Sequence, residues 1–265
     1  MVASRIGRDL LVCLIIKSAI LLQCIGIFFS LWSGSSVESL FFLEFGLKPS
    51  NSKIIENGLA LVILALGFSV FFQRKTFTLI LLFLLTLAIS WITQKQGGIP
   101  FASWSIPAHA LRILTPLGLL MLPKNSNDFS KAYSVLVLGL SVTFFTHGIE
   151  ALSLHPRFVD YLLVFSNKFL YYNLQQSMAE FILKLIGCLD ICMDILVLIQ
   201  PKPGIFIWMA YWGFVTASVR MVELGWSMYP ELLIRTSHFL IPVSLLIIRN
   251  LSMYSKHSIL IKIVL

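Results

Sequence analysis

The sequence predicts an all-α membrane protein, a polytopic bundle of about eight transmembrane helices built from two four-helix repeats. Three observations carry that expectation. Of its 265 residues, 58% are hydrophobic and only 12% charged, with mean hydropathy +0.90, a balance foreign to soluble globular domains. Apolar stretches long enough to cross a hydrocarbon core of ~30 Å recur along the whole chain. The second half also matches the first at an offset of about 122–127 residues.

The first span is read at 9–32, where Arg5 and Arg8 precede an apolar run that continues to Trp32. No small-residue cleavage site interrupts it, so it reads as a span rather than a signal peptide. The second and third spans, 55–73 and 76–95, are separated by Arg74 and Lys75, and the fourth, 106–122, contains Pro116. A polar linker, Pro123–Asp128, leads to spans at 132–153, 177–199, 204–226 and 232–250. After the first span of each half comes a longer segment, Ser35–Leu47 or Arg157–Leu170, that mixes Phe, Leu and Tyr with a few charges. Such amphipathic stretches suit the membrane interface. The chain thus divides into a repeat at 1–123, a second at 129–252 and a tail at 253–265.

Orientation follows from the basic residues. Arg5, Arg8, Arg74, Lys75, Lys124, Lys131, Lys202, Arg249, Lys256 and Lys262 fall on one side of this threading. Lys48, Lys53, Lys95, Arg157 and Lys168 fall on the other, in longer loops with Glu38, Glu44 and Asp160. The positive-inside rule therefore places both termini in the cytoplasm.

The repeat is carried by specific matches. Gly26-Ile27 answers Gly148-Ile149, Glu38-Ser39-Leu40 answers Asp160-Tyr161-Leu162, and Glu56 answers Glu180. His109-x-x-Arg112-x-x-x-Pro116 answers Arg235-x-x-His238-x-x-x-Pro242, with the basic pair reversed. An even number of spans per repeat gives both the same orientation, related by an axis along the membrane normal.

On these features the chain resembles the DoxX-like group of bacterial integral membrane proteins. A four-span unit with cytoplasmic termini is typical of that group. So is a glycine late in the first helix, followed by an outer amphipathic segment and a glycine-containing second helix. The small subunit of thiosulfate:quinone oxidoreductase and the MauE-type proteins are its relatives. The resemblance implies two fused units, residence in the bacterial inner membrane and a redox association. It transfers no catalytic residue.

The polar residues are concentrated in the second half. His147 and Glu150 share a face of the fifth span with Thr143, and Glu180, Lys184, Asp190 and Asp194 fall in an arc of roughly 120° on the sixth. Arg220 and Glu223 follow on the seventh, and Arg235 and His238 on the eighth. Each charge at a bilayer centre costs ~2.5–3.5 kcal/mol on insertion scales, so such faces point inward. The expectation is a polar chamber in the outer half of the second bundle, serving either as a working site or as an ion-pair network that fixes helix register. The equivalent positions Ile25, Phe28, Leu66, Val70, Gln94 and Gly97 make the first repeat scaffold-like. His109 and Arg112 are secondary candidates, either snorkelling to the interface or joining a site between the repeats. Lys17 is expected to snorkel or pair locally, most tryptophans to form an interfacial belt, and Trp212 to sit deeper. His155-Pro156 reads as loop punctuation.

No nucleic-acid partner is expected, because the +8 formal charge is not gathered into a basic patch with exposed aromatics. Cys13, Cys24, Cys188 and Cys192 form no CxxC pair or zinc spacing, so no metal is expected. No haem, flavin or iron–sulfur motif occurs, so any electrons would come from a bound mobile cofactor, of which a quinone is one candidate, or from a partner subunit. Three functions stay open. One is a redox-associated protein handling a quinone or a small sulfur species. In it His147 or His238 donates or accepts a proton, Glu150 or Glu223 tunes that histidine, and Arg220 and Arg235 hold an anionic group or a carbonyl oxygen. The others are a small-solute or proton-coupled transporter, using the acids of the sixth span, and a non-catalytic subunit that binds a lipid, small molecule or membrane partner.

Overall fold

The computed structural model describes residues 2–97, 101–123 and 128–264, except the side chains of residues 2–6, 8 and 251–264. The Arg5, Arg8, Lys256 and Lys262 side chains, and Lys124, on which the orientation partly rests, lie outside the described residues. Among those described, the regular secondary structure is all helical, with no strand.

The elements are α1 (Val2–Trp32), α2 (Ser36–Leu43), α3 (Pro49–Phe72) and α4 (Thr76–Gln96). A 3₁₀ turn, Phe101–Trp104, leads into α5 (Ser105–Ala108) and α6 (Ala110–Leu120). There follow α7 (Ser130–Leu152), α8 (Pro156–Leu170), α9 (Gln176–Ile199) and α10 (Pro203–Leu224). A second 3₁₀ turn, Trp226–Met228, precedes α11 (Tyr229–Ile234) and α12 (Thr236–Val264). Local sequence sets several boundaries. Proline opens α3, α8 and α10 at positions where its missing N–H costs nothing. Ser35 caps α2, its Oγ accepting from the Val37 amide. Gly225 ends α10 with φ at +88°.

Among the described residues, five helices are long and apolar enough to cross a membrane: α1, α3, α4, α7 and α10. A sixth is reached if the α11 region and α12, bent 44° to each other, count as one span. The expected eight are not reached by length and composition. α9 carries four charged side chains, and α6 has only 11 residues after the break at His109. The lipid-type surface is plain on α3 and α4, where Leu61, Phe68, Phe72, Phe77 and Leu84 are exposed.

α1 packs against α3, α11 and α12, while α7 packs against α9 and α6. Each half therefore inserts its last helices against the long first helix of the other. One apolar cluster runs through both, with Ile16, Ile20, Ile63, Leu111, Leu136, Phe206 and Leu245 fully or nearly fully buried. A smaller one, around Val159, Ala179 and Leu183, lies beneath α8. Buried hydrogen bonds link the halves. Thr236 Oγ1 donates to the Ala19 carbonyl (3.0 Å), Ser237 Oγ to Gln23 Oε1 (2.9 Å), and the Leu111 amide to Thr143 Oγ1 (2.9 Å). Gly26 allows a close backbone approach: a Cβ there would lie 2.5 Å from the Ile234 nitrogen and 2.8 Å from the Pro230 carbonyl. α11 thus rests directly on the backbone of α1.

Candidate ligand site

At the end of the bundle that carries α2 and α8, a cavity of about 690 Å³ opens between the two halves. Gln23 and Ser30 reach it from α1, Thr86 and Ser90 from α4, and His109 and Arg112 from the α5–α6 break. The second half supplies His147 and Glu150 from α7, Arg220 from α10, and Glu231 and Arg235 from α11 and its end. His155, Arg157 and Asp160, at the start of α8, complete the rim. The chamber was expected inside the second bundle; the crossing of the halves puts it between them, and the first half is part of its wall.

The charges are arranged unevenly. Glu231 Oε2 accepts from Arg220 Nη1 (3.2 Å) and Arg235 Nη1 (2.7 Å), and Arg235 also donates to the Glu231 carbonyl (2.7 Å). Arg220 Nε donates to the Tyr161 hydroxyl at 2.7 Å, which ties α10 to α8. His147 Nδ1 lies 2.8 Å from Glu150 Oε2, one turn along α7. His109 Nδ1 lies 3.1 Å from Ser90 Oγ. Arg112 is buried, yet its guanidinium makes no hydrogen bond or ion pair among the described residues, and its Nε is sealed from solvent without a partner. Its contact with Gln23 uses only its backbone carbonyl.

Aromatic rings edge the chamber. His155 lies 4.2 Å from Phe101 and stacks on Phe158 at 4.7 Å, and Phe158 stacks in turn on Tyr161 at 6.2 Å between centroids. His155 caps α8, its Nδ1 accepting from the Arg157 amide. Burial holds its imidazole below the usual histidine value; Arg220 and Arg157 add to the effect and Glu150 opposes it.

Beyond this row lies a second cavity of about 290 Å³, mostly apolar, between α7, α8, α9, α10 and α12. Phe144, Phe165, Leu183, Val215 and Val219 are among its walls; Asp190, Trp212, Thr216 and His238 are polar groups that line this cavity and not the chamber. The Trp212 indole N–H is the donor beside Asp190, but no hydrogen bond of good geometry closes between them. His238 is buried with Nε2 unpartnered, and its ring lies 5.9 Å from that of His147. His147, Phe158, Arg220 and Arg235 line both cavities and so form the partition between them.

Of the residues singled out in the sequence, His147, Glu150, Arg220 and Arg235 meet in the chamber, as do the secondary candidates His109 and Arg112. Asp190 and His238 line the apolar cavity. Asp194 is buried near Ser141, apart from both cavities. Glu180, Lys184 and Glu223 belong to neither cavity. Glu180 accepts from Gln176 at a half-exposed position, Lys184 is exposed, and Glu223 offers its backbone carbonyl to Lys168. The buried face of α9 runs through Ala179, Leu183, Gly187, Asp190 and Asp194, and Lys184 lies roughly 100° from its centre. Lys17 donates to the Phe71 carbonyl at the end of α3 (2.9 Å). Sequence reading gave no site role to Glu231, Gln23 or Tyr161, and set His155 aside as loop punctuation. Glu231 had a signal, its spacing of four residues from Arg235; the others meet the site only through the packing of distant helices.

Compared with protein-family models, curated protein sequences and solved structures, the chain matches none.

Proposed function

We propose that this integral membrane protein draws an amphiphilic small molecule from the bilayer, holding its polar head in the chamber and its apolar portion in the second cavity. One observation carries the reading: a polar and an apolar cavity adjoin, and four residues line both. Ligand sites combine apolar walls with a few convergent polar groups, and this pair provides each in a separate compartment.

The order of elements supports the two-repeat reading behind this proposal. A long helix, a short one, two long helices, and a 3₁₀ turn leading into a broken last helix occur twice. In that reading α9 and the α5–α6 segment also cross the bilayer, which makes eight spans. The basic residues then leave both termini in the cytoplasm, and the chamber opens on the outer face.

A redox role with a quinone as the amphiphile is the second reading. The His147–Glu150 pair favours it, because a histidine backed by a carboxylate can exchange a proton with a reducible carbonyl. The DoxX-like resemblance points the same way. Transport draws less support. The acids of α9 do not form a continuous row into the bundle, since Glu180 lies off the cavities and Asp194 is apart from them.

Mass spectrometry of small molecules that co-purify with the detergent-solubilised protein tests the proposal, beside Val215→Phe, which fills the apolar cavity, and Arg220→Ala, which opens the partition. A polar-headed amphiphile present with the wild type and depleted in both variants is the expected result; a quinone among such molecules selects the redox reading. The same molecules in the same amounts in all three samples would sink the proposal.

A further inference from the structure

Four arginines line the chamber: Arg157 is exposed to solvent at its rim, whereas Arg112, Arg220 and Arg235 are buried or half-buried. One carboxylate, Glu231, bonds two of them, and the nearby Glu150 is engaged by His147. Arg112 is left over. It is only 8% exposed, its Nε is sealed and unpartnered, and it forms no ion pair among the described residues. A buried charge without a partner is among the most costly features a fold can retain. Arginine cannot relieve the cost by releasing its proton, because its ionisation lies too far from neutrality. A planar fork of donors facing an open cavity is also the geometry that grips oxyanions through two bonds at once.

We infer that the chamber binds an anionic oxygen group of the phosphate class, with Arg112 as its principal ligand and Arg220 at its side. The inference rests on the chamber being a ligand site, the reading above, and names the charge of what it takes. The group arrives either as the head of an anionic lipid, whose acyl part then enters the apolar cavity, or as a free anion through the mouth beside α8.

Binding to the full chain in an uncharged detergent separates these sources, with dihexanoyl phosphatidic acid, inorganic phosphate and uncharged dihexanoylglycerol as probes. Intrinsic tryptophan fluorescence and thermal unfolding report it. At least one of the two anions binds, and dihexanoylglycerol binds at least about tenfold more weakly than phosphatidic acid or not at all. Phosphate alone assigns the site to a soluble anion, and phosphatidic acid alone assigns it to a lipid. Arg112→Gln weakens the binding by about tenfold or more, and Arg112→Lys, which keeps the charge without the fork, weakens it less. Without a probe, Arg112→Gln melts at the same or a higher temperature, because an uncompensated charge has been removed. Failure of both anions to bind, equal binding of dihexanoylglycerol, unchanged binding by Arg112→Gln, or a lower melting temperature for the empty variant would each overturn the inference. Val215→Phe separates the two readings: phosphatidic acid that still binds as before would remove the amphiphile reading and leave the anion site standing.

Discussion

Arg112 and Lys184 are both cations on hydrophobic helices, and their surroundings differ completely. Arg112 is enclosed by both halves of the protein, whereas Lys184 is exposed on the side of α9 that packs against nothing. Among the titratable side chains outside the spans, His155 gives the clearest pH dependence. Its Nδ1 accepts the Arg157 amide, a role open only to the unprotonated ring, and burial holds its pKa below the ordinary 6.5. The unfolded chain then binds more protons than the folded one as pH falls below about 6.5. The contribution of His155 to stability is therefore full above that value and lost as pH drops through it towards the folded pKa. Melting temperatures measured at pH 7 and pH 5.5 should fall more for the wild type than for His155→Gln. Parallel losses in the two proteins would mean that another group sets the acid sensitivity.

At the scale of elements, close backbone approach and helical phase decide what each helix can present. α11 carries Glu231 and is seated on α1 at Gly26, where a Cβ would meet backbone atoms that cannot yield. Glycine to alanine within a helix ordinarily stabilises by up to ~1 kcal/mol. Gly26→Ala should instead destabilise by roughly 1–3 kcal/mol through overpacking, read as a fall in melting temperature and a weaker hold on any chamber ligand. A gain in stability would mean that α1 and α11 are not packed this closely. α9 shows the role of phase. Its polar residues span a wider arc than its buried face, so Asp190 and Asp194 are enclosed while Lys184 is not. Lys184→Leu should leave ligand retention unchanged and melting temperature equal or higher, since an exposed charge in an apolar setting is removed.

For the whole molecule, the crossing of the two halves creates the chamber and much of the stability of its walls. Gln23 is the junction, accepting from Ser237 across the halves and donating to the carbonyl of Arg112. Gln23→Leu leaves the Ser237 hydroxyl buried without its acceptor, at a cost of about 1–3 kcal/mol. Unfolding measurements on Gln23→Leu, Ser237→Ala and the double variant should show the second substitution recovering part of the loss of the first. Strictly additive losses would exclude coupling between these residues.

Hydrophobic composition and apolar run lengths were sufficient for the membrane character, the helical class and most helix positions, because a bilayer admits few ways to satisfy a backbone. Intrahelical spacing likewise made the His147–Glu150 pair legible, since residues three apart face each other wherever the helix is placed. The tertiary structure decided the rest. Glu231 rather than Glu223 partners Arg220, the first half supplies Arg112, His109 and Gln23, and the charges of α9 divide between interior and surface. Those outcomes depend on how helices rotate and pair across more than a hundred residues. Periodicity reports the faces of one helix and carries no information about which other helix will cover them.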